Sequence, residues 1–358
     1  MNNMYDTALD LIKLLNNNGF CSYIIGGYPR DKYLGVESND IDICTSAKKG
    51  DLSKIFGDVD SNKYNSYKIF YKDYIFEVTT FRREFFYLKN RFPMKVFYTK
   101  SLKTDLKRRD FIINTLCIDC DGNYVDLLGA RDDLDNGIIR LVGHKISFKQ
   151  DSFRILRAIR FATVLNFKLD FKVIKAISKY KHLLINISYD RKKQELEKIF
   201  KSKNAEYGLF LIQEYGLDRY LDINLDGVVV TDDVAAMWAQ VLIDDSYKFS
   251  KNEFKKIKII RKLMNKKFDL YYLYKYGCDI LSSVIKIKKD DIDVYELYDK
   301  LPIKDREDID IDFFIICDVV CVDNDSISVL YDDIEKQIVY GKLKNEKNAI
   351  ISYIKKNY

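Results

Sequence analysis

The chain has 358 residues, 47% hydrophobic and 32% charged, which is long enough for two or more domains with buried cores. No apolar run reaches the roughly eighteen residues a membrane span needs, and no basic segment followed by an apolar stretch opens the chain, so the expected location is the cytoplasm. The net charge of +6 is mild for this size, and seven scattered cysteines, set mostly among apolar residues, exclude a disulfide-stapled secreted domain.

Leu9, Ile12 and Leu15 give Tyr5 to Leu15 helical spacing, and Asn16-Asn17-Asn18-Gly19 stops it. Cys21 to Ile25 reads as a short strand broken by Gly26-Gly27, with Pro29 in the first turn of the next helix. Asn39 to Cys44 alternates Asp with Ile, and Tyr67 to Thr80 is rich in aromatic and β-branched residues around a Lys72-Asp73 turn; both predict strands. Phe111 to Asp119 and Tyr124 to Leu128 continue that pattern across an Asp121-Gly122 turn. The first 140 or so residues therefore predict a small α/β domain with a mixed or mostly antiparallel sheet. From Phe148 the period becomes helical, with segments at 151–165, 171–182, 190–201, 204–215, 231–243 and 251–264. Lys251 to Lys267 holds eight basic residues and Asp290 to Asp323 is strongly acidic, so exposed segments would steer a polyanion to one surface and away from the other. Solvated helix faces explain either run as well. Cys117-x-x-Cys120 has no second CxxC near it, and the only histidines are His144 and His182, so it reads as core rather than a zinc site.

Asp40-Ile41-Asp42 carries the chemistry. On a strand, residues two apart face the same side, so the two carboxylates project together while Ile41 and Ile43 enter the core. Their mutual repulsion calls for a cation, and a hard divalent ion such as Mg2+ suits few carboxylates plus substrate phosphates. DxD alone is weak, since Asp291-Ile-Asp293 and Asp308-Ile-Asp310-Ile-Asp312 repeat it in acidic sequence. The first copy differs in its neighbourhood: Gly26-Gly27 and Arg30, one short helix earlier, offer backbone N–H groups and a guanidinium to phosphate oxygens.

Gly26-Gly27-Tyr28-Pro29-Arg30-Asp31, followed by Asp40-Ile41-Asp42, resembles the first motif of class II CCA-adding enzymes and bacterial poly(A) polymerases, in the DNA polymerase β nucleotidyltransferase superfamily. Further resemblances follow in that family's order. Glu77 to Arg82 resembles the strand with the third catalytic carboxylate, and Tyr87 to Leu106, with Arg91 and Pro93, the flexible loop. Arg108-Arg109-Asp110 through Asn114 resembles the motif that senses ribose and phosphates, and Asp126 to Gly129, Asp133-Leu134 and Ile139-Arg140 the next stretch. Gln150-Asp151 through Arg154, Arg157, Arg160 and Phe161 resembles the helix that templates the incoming base. Tyr28-Pro29 departs from the family's small residue and Val, and Gln150 from its Glu. Read alone, that last helix puts Ile155, Leu156, Ile159 and Ala162 on one face and the three arginines opposite, where they are solvated, ion-paired or bound to a nucleotide.

The resemblance implies an α+β fold: a polymerase-β-like nucleotidyltransferase head (1–140), a helical neck that recognises the base (141–200), and an elongated helical body and tail that bind tRNA (201–358). It implies CCA addition to the tRNA 3′ end from CTP and ATP, with Mg2+ held by Asp40 and Asp42 and assisted by Glu77. Gly26, Gly27, Arg30, Arg109, Asp110 and Asn114 would hold the nucleotide's phosphates and sugar. Asp151 and Arg154 would select the base, Arg157 and Arg160 supporting them, and Lys255, Lys256, Lys258, Arg261 and Lys262 would grip the RNA backbone. Poly(A) addition, addition of CC or A alone, and an idle RNA-binding protein are the alternatives.

Overall fold

The computed structural model describes residues 3–60, 66–88, 92–143, 147–312, 315–316 and 324–358. They form two compact units, Met1–Ile223 and Asn224–Tyr358. Arg91, His144, Cys317 and Cys321 lie outside the described residues, as does part of the acidic stretch.

In the first unit, α1 (Met4–Asn17) starts where the Asn3 side chain accepts the Asp6 N–H at 2.8 Å, and it buries Ala8, Leu11, Ile12 and Leu15 on one face. Then come β1 (Ser22–Ile25), α2 (Gly27–Tyr33), β2 (Asp42–Thr45), α3 (Lys49–Phe56), and the hairpin of β3 (Ser66–Tyr71) and β4 (Tyr74–Thr80). A second hairpin, β5 (Arg82–Leu88) with β6 (Phe92–Tyr98), is followed by α4 (Leu102–Leu106), β7 (Cys117–Ile118) and β8 (Tyr124–Val125). The six-stranded sheet runs β3-β4-β2-β1-β7-β8. It is mixed, since β2 and β4 are parallel while the other neighbours are antiparallel. One sheet face buries Ile24, Ile43, Tyr67, Ile69, Phe76, Val78 and Ile118 with Ile41 and the apolar stripe of α1. The other buries Ile25, Cys44 and Cys117 with Phe81 and with Leu102 and Leu106 of α4.

Two register facts create the site. Ile25, the last residue of β1, stands opposite Asp42, and Asp42 stands opposite Glu77. The end of β1, where the chain turns at Gly26, is thereby fixed beside two carboxylates that lie 35 residues apart in sequence.

Beyond the sheet lie α5 (Ala130–Asp135), β9 (Ile138–Ile139), α6 (Ser147–Gln150), α7 (Phe153–Leu165), β10 (Lys168–Leu169), α8 (Phe171–Tyr180), α9 (Tyr189–Phe200), α10 (Ala205–Glu214) and α11 (Asp218–Leu221). The helical segments expected here are present, shortened by a few residues at their ends. The two-residue strand β10, paired parallel with β9, departs from an all-helical neck. A second departure concerns 111–119. Phe111 makes a single bridge to Leu141, Ile112–Asn114 is a 3-10 turn, and only Cys117–Ile118 is strand. The Asp110 carboxylate holds that turn by accepting the Phe111 N–H (2.8 Å) and the Asn114 amide (3.1 Å), competing with extended backbone.

The second unit comprises α12 (Val234–Val241), α13 (Lys251–Met264), α14 (Leu270–Lys288), bent at Gly277, α15 (Val294–Asp299) and helices Asn324–Val339 and Lys347–Asn357. Serine and glutamate form a capping box at the start of α13, through Ser250 and Glu253. Among the described residues no helix is long and apolar enough to cross a membrane.

Candidate active site

Asp40 lies two residues before the start of β2 and is exposed, whereas Asp42 opens the strand and is half-buried; Ile41 and Ile43 are buried, so the alternation read from sequence holds although the strand starts later. Gly26 packs directly over Asp42. Its φ of 90° and ψ of −129° suit glycine alone, and a Cβ there would stand 3.1 Å from Asp42 Oδ2. Burial, then repulsion from Asp40 and Glu77, pushes the Asp42 carboxyl up to about 6, with Arg109 offsetting part of the effect. Glu77 accepts a hydrogen bond from the Ser66 hydroxyl.

No group of three or more His, Cys, Asp or Glu among the described residues is placed to hold a metal ion by itself. Asp40 and Asp42 nonetheless suit a hard divalent cation that completes its shell with water and phosphate oxygens, because Arg109 offsets only part of the repulsion and burial felt at Asp42. The acidic repeats in the second unit differ. Asp293 accepts the N–H groups of Tyr295 and Glu296, both at 3.0 Å, and Asp308 those of Lys304 and Asp305 at 2.7 and 3.1 Å. Those carboxylates serve as turn and helix caps.

Basic groups line the other side of the site. Arg30 Nη1 donates to Asn114 Oδ1 (2.7 Å), and its Nε and Nη2 donate to Asp31. Asn114 in turn donates to Asp110, which also accepts from Arg157 Nε at 2.7 Å. Burial opposes the charge on Asp110, but Arg157 and Arg154, with the hydrogen bonds from Asn114 and Arg157, hold its carboxyl well below the usual range. A continuous chain, Arg30 to Asn114 to Asp110 to Arg157, therefore links the glycine turn to α7. Tyr28, the departure beside it, stacks on Tyr5 at 5.6 Å, and Pro29 is buried.

The arginines of α7 are ion-paired or bonded to backbone. Arg160 Nε donates to Glu195 Oε2 at 2.6 Å, and Arg154 donates to the carbonyls of Arg108 (2.8 Å) and Arg109 (3.3 Å) with its Nε 4.0 Å from Asp151 Oδ2. Burial raises the Asp151 carboxyl against the opposing charges of Arg154 and Arg191. The guanidiniums of Arg30, Arg157 and Arg160 all lie on the Phe161 ring, 5.1, 5.2 and 3.8 Å from its centroid. Arg109 stands apart: it contacts Asp105 at 3.4 Å, yet its buried Nε has no hydrogen-bond partner. A donor left unmade beside the carboxylate edge is a ready contact for a phosphate or sugar oxygen.

Three supporting residues were given no role from the sequence. Asp105, fully buried, accepts from the Arg82 N–H and from Arg108 and Arg109; its i+3 and i+4 spacing to those arginines was the available signal. Glu195 lies on the buried face of α9, where an acid needs a partner, but nothing local names Arg160. Phe161 closes the motif that resembles the base-templating helix, but no role was attached to it.

In the second unit, α13 divides its cations. Lys255, Lys258 and Lys262 are exposed at helical spacing on one face. Lys256 pairs with Asp233 at 2.9 Å, and Arg261 donates to the carbonyls of Ala239 and Leu242 at 3.1 and 2.6 Å, closing the C-terminal end of α12. These two are engaged within the protein.

Residues 22–140 match the family described as Poly A polymerase head domain, 166–222 the probable RNA and SrmB-binding site of polymerase A, and 239–354 the putative tRNA nucleotidyltransferase domain 2. The CCA-adding enzyme of Ligilactobacillus salivarius is 31% identical, over 98% of this chain and 96% of that one, and that of Bacillus subtilis is 29% identical over 99% of each. The solved structure of the Bacillus stearothermophilus CCA-adding enzyme in complex with CTP superposes with a TM-score of 0.84 at 25% identity, covering 99% of this chain and 98% of that one. A Thermotoga maritima CCA-adding enzyme complexed with tRNA shares the fold, with a TM-score of 0.72 at 19% identity over 97% and 93% of the two chains.

Proposed function

From the premise that the chain belongs to the CCA-adding enzyme family, we propose that its carboxylate edge and its arginine network are the two halves of one nucleotidyl-transfer site. The protein is a nucleotidyltransferase that adds CCA to the 3′ end of tRNA from CTP and ATP, releasing pyrophosphate. The observation that carries the assignment of residues is the rung Ile25, Asp42, Glu77, which sets the acids against the Gly26 turn.

Enzymes of this family use divalent metal ions, and Mg2+ is the ion proposed here, held by Asp40 and Asp42 with Glu77 assisting. When bound, such an ion supplies a lowered pKa for the terminal 3′-hydroxyl and charge neutralisation for the triphosphate. The chain's own groups do the positioning. Gly26 and Gly27 let the phosphates approach the backbone, Arg30 faces them, and the free Nε of Arg109 donates to a phosphate or sugar oxygen. Asp110 and Asn114 keep Arg30 and Arg157 in place. With no nucleic-acid template, Asp151 and Arg154 present an acceptor and a donor set to the base edge, Arg157 and Arg160 holding the helix that carries them.

Residues 1–140 are assigned as the catalytic head, 141–200 as the base-recognising neck and 201–358 as the tRNA-binding body and tail, in which Lys255, Lys258 and Lys262 face the RNA backbone while Lys256 and Arg261 maintain the fold. The cytoplasm, where tRNA is processed, is the proposed location. The test is incubation of the protein and Mg2+ with tRNA lacking CCA, ending in CC, or complete, supplying CTP and ATP separately and together. Addition that stops at CCA is the expected result. A long A tail, or addition of CC or A alone, replaces this reading with one of its relatives.

A further inference from the structure

We propose that the open face of the β3–β4 hairpin is the track along which the 3′-terminal strand of the RNA reaches the carboxylates, with Lys68, Phe70 and Ile75 as its platform. The inference rests on the functional reading above and names surface that reading leaves unassigned. Sheet order supplies the first argument. β2 lies between β1, whose end carries the Gly26 turn and leads to Arg30, and β4, which carries Glu77. With the triphosphate held on the β1 side, the leaving pyrophosphate is there too. In-line displacement brings the attacking hydroxyl from the opposite side, over β4 and β3.

The register supplies the second. Side chains of β4 alternate, so Glu77 and Ile75 share one face while Phe76 and Val78 are buried on the other. Across the hairpin, Lys68 stands opposite Glu77 and Phe70 opposite Ile75. β2 begins at Asp42, opposite Glu77, so Ile75 and Phe70 extend past it, about 7 Å along the strand from the carboxylate.

The third argument is the chemistry of what is displayed. Phe70 is 71% and Ile75 62% exposed, a cross-strand pair of large apolar side chains that the fold leaves in water. Lys68, exposed, places a cation beside them, and no ion pair with Glu77 forms among the described residues. An aromatic face and an aliphatic neighbour flanked by a cation form a stacking platform for single-stranded nucleic acid; a base rests on the ring and its phosphate faces the ammonium. A protein partner would use the apolar pair without needing it next to Glu77. The continuity of the patch with the catalytic edge favours RNA.

The experiment compares full-length wild type with Phe70→Ala/Ile75→Ala, Phe70→Trp and Lys68→Ala, measuring KM for tRNA ending in CC and KM for ATP separately, with melting temperature as the folding control. The double variant is expected to raise the tRNA KM about tenfold, the scale of one lost stacking contact, and to leave the ATP KM and melting temperature unchanged. Phe70→Trp should keep the wild-type tRNA KM, and Lys68→Ala should shallow the salt dependence of tRNA affinity by about one phosphate contact. An unchanged tRNA KM in the double variant, or an ATP KM that rises with it, overturns the track while the wild type still adds A. A wild type that extends no tRNA overturns the functional reading and the track together.

Discussion

The carboxylate edge and the arginine network lie in the same compact unit and are built on opposite principles. Strand register sets Asp42 beside Glu77, with Asp40 two residues before it, and at Asp42 burial and the repulsion of both neighbours act in the same direction. Arg30, Arg157 and Arg160 are paired within the protein, to Asp31 and Asn114, Asp110 and Glu195, and all rest on Phe161. On the proposed reading the first region awaits a cation, whereas the second is paired within the protein before any ligand arrives. Asp40 and Asp42, the carboxylates that on this reading would hold the ion, repel each other, while Arg157 and Arg160, which would hold the base-reading helix, are fixed in advance, so that selection costs little ordering at the moment of binding.

The sharpest way to break this contrast is Asp42→Ala. CCA addition, followed by incorporation of labelled nucleotide, is expected to fall by about a thousandfold or more, at the upper end for loss of one charge-stabilising contact. Asp110→Asn should act oppositely, on stability first. Leaving the half-buried Arg157 against a neutral side chain is expected to cost about 2 kcal/mol in urea unfolding at pH 7. Because the Asp110 carboxyl is held below its ordinary value, its stabilising effect is present above pH 4 and is lost as pH falls below it, so wild type and variant should converge in acid.

Glu195→Gln tests whether the network serves selection. Weakening the charge-assisted bond to Arg160 should reduce discrimination of CTP and ATP against UTP and GTP about tenfold and leave the tRNA KM alone. The smallest effect belongs to the exposed lysines of α13. Lys258→Ala should raise the tRNA KM about two- to fivefold, the scale of one surface charge contact, whereas Lys256→Ala should lower melting temperature more than it changes that KM.

How much of this was legible in the sequence follows the same division. Strand periodicity exposed the pairing of Asp40 with Asp42, and the glycine turn before it was recognisable, because both signals are local. The departure at 111–119 was not, since the 3-10 turn depends on the Asp110 carboxylate competing for backbone N–H groups. The three arginines of α7 were visible, but whether they met water, a nucleotide or an acid depended on Asp110 and Glu195, 47 residues before and 35 residues after their respective partners. The same blindness applied to Lys256 and Arg261, whose sequence context matched that of the exposed lysines beside them. Local pattern reports which face a residue takes. It is silent on which distant group is waiting there.

The central claim, an acidic edge in want of a cation beside an arginine network already satisfied, is tested most directly by thermal melting of wild type and Asp42→Asn at pH 8, without divalent ions and with Mg2+ and CTP. The account predicts that the variant, relieved of one like charge, melts no lower than wild type when divalent ions are absent, and that only wild type gains markedly from Mg2+ and CTP. A variant that melts well below wild type without metal, or that gains as much from Mg2+ and CTP, would contradict it.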